Sequence, residues 1–221
     1  MLDRPLPDPL DYLQQVMADG DFIVLTGAGI STPSGIPDYR DTDGVRRGRQ
    51  PMMYQEFLAA PESRRRYWAR AMLGWPRVRQ ARPNAAHEAL ASLQSHGRIG
   101  GLITQNVDTL LDPAFEARFQ VPHCPHCAGE RMKPDVVFFG ENVAQPTAAR
   151  AMALAENAAG MLVVGSSLMA YSAFRLCRVI ADRGKPLIAI NLGKTRADEL
   201  LELKIEASCE QLLPLLTERL T

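Results

Sequence analysis

Two glycines and a run of small polar residues directly follow a short apolar segment near the start of the chain. Phe22 to Leu25 is apolar and β-branched in part, which is typical of a strand buried on both faces. After Thr26 come Gly27-Ala28-Gly29, whose glycines let the backbone turn tightly and approach a ligand. Ile30-Ser31-Thr32 is expected to begin a helix whose free N–H groups would favour a phosphate. A single G-x-G is a weak signal, so the pattern fits either a dinucleotide site or an ordinary strand–turn–helix corner.

Polar residues also follow three later apolar segments, the first of which is expected to be a second buried strand. The segments are residues 101–104, 161–164 and 187–190, and they end in Gln105-Asn106-Val107-Asp108, Gly165-Ser166-Ser167 and Asn191-Leu192-Gly193. Helices are predicted at 84–93, 146–159 and 172–182, so that strands and helices alternate, and the pattern predicts an α/β fold with a doubly wound parallel sheet. Ligands of such sheets bind beyond the carboxyl ends of the strands. Four coincident polar ends favour a nucleotide site over turn chemistry alone.

The remaining segments predict helices at 8–19, 52–58 and 62–73, with Gly74-Trp75-Pro76 expected to end the last of them. Residues 41–50 have no periodicity and contain three arginines, which fits a solvated loop or a flap over an anionic cofactor. Asn84 is expected to cap the helix that follows it. His87 on that helix is interpreted as a packed or capping residue rather than a ligand.

Composition limits the classes of function. The 221 residues are 46% hydrophobic and carry a formal net charge of zero, which argues against a dedicated nucleic-acid or membrane-surface protein. No apolar run approaches the roughly 18 residues that a membrane helix needs. The four cysteines include one C-x-x-C pair and suit a reducing compartment, so a cytoplasmic protein is expected.

The stretch GAGIS at 27–31, followed by SGIPDYR at 34–40, resembles the signature of the sirtuins, the NAD-dependent protein deacylases. The segments QNVD at 105–108, KPDVVFFGE at 133–141, GSSL at 165–168 and NLG at 191–193 match further motifs of that family. The resemblance runs from about Asp21 to Leu213 and is strongest to the class II sirtuins, the mitochondrial lipoamidase type and its bacterial relatives. It implies a Rossmann-like NAD-binding domain (1–40, 83–108 and 138–221), a helical module with a cofactor loop (41–82) and a remnant of a zinc-binding module (109–137).

The resemblance also implies a role for individual residues. The pyrophosphate would be cradled by Gly27, Ala28, Gly29, Ile30 and Ser31. The ribose and adenine would be contacted by the segments around Ser166 and Asn191, namely Gly165, Ser166, Ser167, Asn191, Leu192 and Gly193, and by Cys209. The nicotinamide pocket would be lined by Asp38, Asn106 and Asp108, and the reactive ribose would be shielded and steered by Tyr39 and Arg40. Gln105 and Val107, in the same QNVD segment, would also bind the cofactor. Val136 and Phe138 would pair with an acyl-lysine peptide as an added strand.

Two parts of the sirtuin pattern are missing. After QNVD the family has a histidine, which acts as general base once the acyl oxygen has attacked the ribose carbon, and then a first cysteine pair. Here Asp108 is followed sixteen residues later by Cys124 and nineteen residues later by Cys127, with His123 and His126 interleaved. A structural zinc takes four ligands, so Cys124 and Cys127 are interpreted as half of a split zinc site, with a self-contained site or a redox dithiol as alternatives. His123 adjoins this pair and is rejected as the catalytic base, so no catalytic residue is assigned.

The gap has two explanations. Either the catalytic segment is deleted, or the sequence omits residues that the intact protein contains, and the intact remaining motifs favour the second. A break is therefore predicted between Asp108 and Asp112. The expected function is an NAD-dependent protein-lysine deacylase, with a non-catalytic NAD or ADP-ribose sensor or a zinc-ribbon interaction module as alternatives.

Overall fold

The structure, a computed structural model, describes residues 8–48, 50–106, 126 and 132–221. The chain divides into two compact units, each of which is described by itself. Unit 1 comprises Met1–Arg47, Pro83–Asn106 and Gln145–Thr221, and unit 2 comprises Gly48–Arg82 and Val107–Ala144. Several predicted features lie outside the described residues: Val107, Asp108, Cys124, Cys127 and the predicted break between Asp108 and Asp112.

Unit 1 contains a parallel five-stranded sheet with the strand order β2-β1-β3-β4-β5. The strands are β1 (Phe22–Thr26), β2 (Gly101–Thr104), β3 (Gly160–Val164), β4 (Leu187–Ile190) and β5 (Leu203–Ile205). Thr26, the last residue of β1, lies opposite Thr104 of β2 and Val164 of β3. Because the strands are parallel and in this register, the polar residues that follow β1, β2 and β3 meet at one edge of the sheet.

Helices cover both faces of this sheet, as predicted. The helices of unit 1 among the described residues are α1 (Pro9–Met17), α4 (Ala85–Ser95), α5 (Gln145–Asn157), α6 (Tyr171–Asp182) and α7 (Cys209–Leu220), and those of unit 2 are α2 (Tyr54–Ala59) and α3 (Pro61–Gln80). Side chains alternate along β1: Phe22 and Val24 pack with residues of α1, α4 and α7, whereas Ile23 and Leu25 pack with residues of α5 and α6. All five residues of β1 are buried, so the sheet has apolar side chains on both faces.

Two strands differ from the expectation. β2 was predicted to be buried, but its residues alternate between half-buried and exposed because β2 is the outer strand of the described sheet. β5 was not predicted, because it contains only three residues and one of them is Lys204. The side chain of Lys204 pairs with Asp198 and Glu206, so β5 presents a charged residue at the other edge of the sheet.

Unit 2 contains α2 and α3 and a cluster of aromatic side chains. The ring of Phe138 lies 4.9 Å from that of Phe57 and 4.8 Å from that of Tyr67, and Arg64 is buried with its guanidinium donating to the carbonyl oxygens of Phe57 and Leu58. The expectation that residues 74–76 end the second helix was wrong, since α3 continues through Pro76 to Gln80. Proline in a helix interior costs one backbone hydrogen bond and introduces a bend, and here it does not end the helix. Among the described residues, no helix is both long enough and apolar enough to cross a membrane.

Candidate cofactor site

The glycine-containing turn after β1 is locked against the turn after β3. The N–H of Gly27 donates to the carbonyl oxygen of Val164, and the N–H of Gly29 donates to that of Gly165 at 2.8 Å. A Cβ on Gly29 would lie 2.7 Å from the oxygen of Gly165, and a Cβ on Gly165 would lie 2.4 Å from the nitrogen of Ile30. Gly165 also has a φ of +57°. Both turns therefore require glycine for this approach, because a side chain on either would force them apart.

The helix expected after the glycines is only a short 3₁₀ helix, Ala28–Ser31. The N–H of Ile30 donates to the oxygen of Gly27, while Gly27 and Gly29 donate to the β3 turn as described. The expectation that a regular helix would offer its first N–H groups to a phosphate is therefore corrected. The N–H groups of Gly27, Gly29 and Ile30 already have acceptors within the protein, so the side chains around the turn carry more of the polar chemistry of the site.

Two side chains meet at Ser31, which is buried at the end of this turn. The amide nitrogen of Asn106 lies 3.3 Å from the hydroxyl oxygen of Ser31 and 3.0 Å from the carbonyl oxygen of Gly27. On the other side, Nε2 of His87 lies 3.5 Å from the same hydroxyl oxygen. Asn106 and His87 thus connect the ends of β2 and α4 to the glycine turn.

His87 occupies this position because α4 begins with a capping box. The side chain of Asn84 accepts from the N–H of Ala86, and the N–H of Asn84 donates to Nδ1 of His87 at 3.3 Å. The side-chain nitrogen Nδ2 of Asn84 donates to the carbonyl oxygen of Ile30 at 2.8 Å. The interpretation of His87 as a capping residue is confirmed, and the cap also holds the end of the glycine turn.

Ser166 lies at the end of β3 and is buried. Its hydroxyl oxygen accepts from Nε2 of Gln105 at 2.8 Å and from the N–H of Leu168 at 3.2 Å. Leu168 is fully buried and has a φ of +56°, the only positive value among the described residues other than glycines. The second hydrogen bond holds this conformation, which L residues adopt at a cost. Ser167 is half-buried, and its carbonyl oxygen accepts from the N–H of Arg196.

The turn after β4 holds the loop that follows the SGIPDYR segment. Asn191 is buried and donates from Nδ2 to the carbonyl oxygens of Leu192 and Gly193. Gly193 has a φ of +89°, and a Cβ there would lie 2.2 Å from the carbonyl oxygen of Thr42. Thr42 also accepts from the N–H of Lys194 at 2.8 Å. The predicted cofactor loop is thus seated on the β4 turn through backbone contacts.

Within this loop, polar side chains fix a narrow hairpin. Nε of Arg47 lies 3.1 Å from a carboxylate oxygen of Asp38, and both groups are partly exposed to water. Nη1 of Arg40 donates to the carbonyl oxygen of Gly44 at 2.7 Å. The carboxylate of Asp41 accepts from the N–H of Val45. Tyr39 is half exposed, so its ring is accessible beside these charged groups.

Cys209 is the first residue of α7. Its thiol lies 3.6 Å from the carbonyl oxygen of Ile190, the last residue of β4. Burial raises the pKa of this thiol to about 11. Cys209 therefore behaves as a small buried residue that packs beneath the β4 turn, and its thiol stays protonated at neutral pH.

The two residues predicted to bind a peptide, Val136 and Phe138, belong to unit 2. Phe138 is buried in the aromatic cluster, and Val136 packs against that cluster. The N–H of Phe138 donates to the carboxylate of Glu141, and the carbonyl oxygen of Val136 accepts from Nζ of Lys133. Lys133 and Glu141 form an ion pair of 3.2 Å. The N–H of Phe138 is already paired within the chain, so a peptide strand that accepted from it would have to replace its bond to Glu141.

The structure thus places most of the predicted cofactor residues together in unit 1. A concave region of about 320 Å³, bordered by Asp21, Gly100 and Asn157, lies instead at the amino ends of β1 and β2 and is separate from them. The strand-end groups are neutral hydroxyls, amides and backbone dipoles, which suit phosphate and ribose oxygens. Among the described residues, no cluster of three potential metal ligands occurs. Sequence reasoning missed the link from His87 to Ser31, although the Asn84-x-x-His87 spacing is that of a capping box.

Comparison with known proteins identifies the family. A model of the Sir2 family matches residues 27–116 and 113–172. The NAD-dependent protein deacetylase 3 of Pseudomonas syringae is 55% identical, with 100% of this chain and 99% of the relative covered. The NAD-dependent protein deacetylase 2 of Bradyrhizobium diazoefficiens is 42% identical, with 87% and 92% covered.

Solved structures agree with the sequence comparison. A structure described as Sir2 with a p53 peptide and NAD+ superimposes with a TM-score of 0.80 at 30% identity, and covers 96% of this chain and 98% of that one. The alignment to the Pseudomonas syringae protein spans 278 positions, more than the 221 residues of this chain, so that relative has a stretch without a counterpart here. The two segments matched by the Sir2 model overlap at residues 113–116, just after the interval predicted for the break. By its motifs, its sheet and these relatives, the chain belongs to the Sir2 family.

Proposed function

We propose that this protein is an NAD-dependent protein-lysine deacylase of the deacetylase or lipoamidase type. Its substrates would be acyl-lysine proteins or peptides, and its products nicotinamide and O-acyl-ADP-ribose. The observation that supports this most is the interlock of the turns after β1 and β3, which gathers Ser31, Asn106, Gln105 and Ser166 at one sheet edge. The named activities of the bacterial relatives agree with it.

The residues that we propose to bind NAD fall into three groups, according to the part of the cofactor that each group would contact. Gly27 to Ser31 would hold the pyrophosphate, while Gly165 to Ser167, Asn191 to Gly193 and Cys209 would hold the adenosine. Asp38, Tyr39, Arg40, Gln105 and Asn106 would surround the nicotinamide ribose, together with Val107 and Asp108, which lie outside the described residues. The available hydroxyl and amide groups fit this cofactor, because it offers many oxygen acceptors and a carboxamide that can donate to a carboxylate. When bound, NAD would supply the ribose carbon that takes the acyl oxygen.

A second function, binding of NAD or ADP-ribose without turnover, is favoured by one observation. Between Asn106 and Lys133 the only histidines are His123 and His126, which are interleaved with Cys124 and Cys127. The chain therefore has no histidine in the place where the family has its general base. In this second function the same strand-end residues would bind the dinucleotide, and no acyl group would be removed.

The two functions are separated by measuring nicotinamide release with and without acyl-lysine peptides. Acetyl-, lipoyl- and longer acyl-lysine peptides should each be tested, and the intact mass of the expressed protein should be compared with that of the 221 residues. A deacylase releases nicotinamide only when a peptide is present. Release without peptide would indicate an NAD hydrolase, and binding without release would establish the sensor.

An Asp108→Asn variant should lower turnover at least about tenfold, since it loses a charge-assisted hydrogen bond to the carboxamide.

We also propose that unit 2 contains the helical module and the zinc module, with Cys124 and Cys127 as two thiolate ligands of a structural zinc ion. Their partners would lie in the stretch that the relatives have and this chain lacks. A cytoplasmic location agrees with the cysteine usage and the neutral net charge. Metal analysis of protein purified without chelator checks the zinc proposal: about one zinc per chain is expected for the intact protein. Metal-free protein that still folds and binds NAD would contradict it.

A further inference from the structure

We infer that His87 is a positioning residue for the cofactor. Through a tautomer fixed by the cap of α4, it makes the hydroxyl group of Ser31 a hydrogen-bond donor to an acceptor oxygen of the bound dinucleotide. This inference rests on the proposed NAD binding only for the identity of the ligand. The arrangement of protons among Asn84, His87, Asn106 and Ser31 follows from the contacts within unit 1.

The cap of α4 determines which ring nitrogen of His87 carries the proton. A backbone N–H can only donate, and the N–H of Asn84 points at Nδ1 of His87 at 3.3 Å. Nδ1 must therefore be the unprotonated nitrogen, and the neutral ring carries its proton on Nε2. Nε2 lies 3.5 Å from the hydroxyl oxygen of Ser31, a long hydrogen bond in which the histidine is the donor.

The orientation of Asn106 is fixed in the same way. Its Nδ2 lies 3.0 Å from the carbonyl oxygen of Gly27, which can only accept, so the amide nitrogen and not the amide oxygen must face the turn. The same nitrogen lies 3.3 Å from the hydroxyl oxygen of Ser31. The hydroxyl oxygen of Ser31 thus receives hydrogen bonds from two donors.

The hydroxyl proton of Ser31 then has no acceptor among the contacts of the described residues. Ser31 is only 1% exposed, whereas Ala28 and Gly29 of the same turn are partly exposed. A ligand that lies on this turn can supply the missing acceptor. Because a buried donor without a partner is costly, an oxygen that pairs with Ser31 stabilises the complex more than the same bond would at an exposed serine.

Two variants of His87 separate capping from proton donation. Glutamine and glutamate both complete a capping box at this position of a helix, since either side chain can accept from the N–H of Asn84. Only His87→Gln keeps a donor for Ser31. In His87→Glu the carboxylate accepts the Ser31 proton itself and withdraws it from the ligand. The two variants should therefore unfold at similar temperatures and differ in binding.

Binding of NAD and of ADP-ribose is measured by calorimetry for the wild type, both variants, Ser31→Ala and the two double variants. His87→Gln should stay within about threefold of the wild-type affinity, and His87→Glu should lose at least about tenfold, the loss expected for one hydrogen bond to a charged acceptor. The difference between Gln and Glu should shrink to about threefold or less when Ser31 is alanine. If the difference in affinity between the Gln and Glu variants persists in full in the Ser31→Ala background, the carboxylate acts by its charge alone and the inference is wrong. His96→Gln and His96→Glu, at the other end of α4, are matched controls that should leave affinity unchanged.

The protonation state is tested without any ligand. In a ¹H–¹⁵N spectrum of the histidine rings, His87 should show the tautomer with the proton on Nε2. His96 is an internal contrast, because its Nδ1 lies 2.9 Å from the carbonyl oxygen of Ser92 and must carry a proton. A His87 ring with its proton on Nδ1 would overturn the inference, whatever the binding result. If the wild type bound neither NAD nor ADP-ribose, the proposed function would fail, while the spectrum would still decide the proton arrangement.

Discussion

The amide of Gln105 donates a hydrogen bond of 2.8 Å to the hydroxyl oxygen of Ser166, and so joins the ends of two strands that are not neighbours. Gln105 follows β2 and Ser166 follows β3, with β1 between them in the sheet. The N–H of Gln105 also donates to the carbonyl oxygen of Thr26, the last residue of β1. The carboxyl ends of three strands are therefore fixed to one another before any ligand binds.

Replacing Ser166 by alanine should destabilise the protein. The variant removes the acceptor of two hydrogen bonds, from Gln105 and from the N–H of Leu168, in a buried position. A loss of about 1–3 kcal/mol in the free energy of unfolding is expected for buried donors left without a partner. Denaturant unfolding measures it, with Ser167→Ala as the matched control. Ser167 is only half-buried, so a loss in that variant as large as in Ser166→Ala would contradict this account.

Gly165→Ala and Gly184→Ala separate backbone strain from packing. Both glycines have a positive φ, +57° and +64°, but a Cβ on Gly165 meets the Ile30 nitrogen at 2.4 Å, whereas nothing lies within 4 Å of one on Gly184. Gly184→Ala should cost about 1–2 kcal/mol, the penalty of a left-handed residue alone. Gly165→Ala should cost more and should also weaken NAD binding, because the β1 and β3 turns must separate. Equal losses of stability in the two variants, with unchanged binding, would mean that the interlock is not required.

Asp38→Asn and Arg47→Gln break the same ion pair and differ in what else they remove. The pair is partly exposed, so each variant should change stability by no more than about 1 kcal/mol. If the Asp38 carboxylate accepts a hydrogen bond from the nicotinamide carboxamide, only Asp38→Asn should lower nicotinamide release, by about tenfold or more. Steady-state assays of nicotinamide release at saturating peptide compare the two variants with the wild type. Similar activity losses in both variants would assign the effect to the ion pair and not to the ligand.

Stability should fall in alkaline solution because two thiols are buried. Burial raises the pKa of Cys177 to about 12 and that of Cys209 to about 11, from an ordinary value of 9.0. Above pH 9 the unfolded chain therefore loses these protons while the folded chain keeps them, so the free energy of unfolding decreases with pH. Between pH 8.5 and 10 the expected loss is about 1 kcal/mol for each thiol.

The predicted alkaline loss is tested by measuring the free energy of unfolding in guanidinium at several pH values, for the wild type and for Cys177→Ala. That variant should be less stable at every pH, since it leaves a cavity, but its stability should depend less steeply on pH. An unchanged slope in Cys177→Ala would show that other groups cause the alkaline loss.

The sequence predicted the sheet and the residues at its edge because both depend on local signals. Apolar runs marked four of the five strands of the described sheet, and the polar residues after them marked the proposed site. Contacts between distant segments could not be predicted in this way: Gln105 and Ser166 are 61 residues apart, and Ser31 and His87 are 56 apart. The 3₁₀ helix after Gly27 and the continuation of α3 through Pro76 were missed for a related reason. Both depend on how a segment packs, whereas the glycine and proline rules describe isolated segments.

The contact of the Gly29 N–H with the Gly165 oxygen has a consequence for how the protein is made. A ribosome delivers the glycine turn early, and more than half of the chain must follow before Gly165 exists. β1 waits equally long for β3, its neighbour on the inner side of the sheet. Contacts between residues so far apart in sequence form slowly, because a long loop must close first. The nascent chain therefore exposes the apolar side chains of β1 throughout much of its synthesis, and the proposed dinucleotide site is among the last features of the protein to be completed.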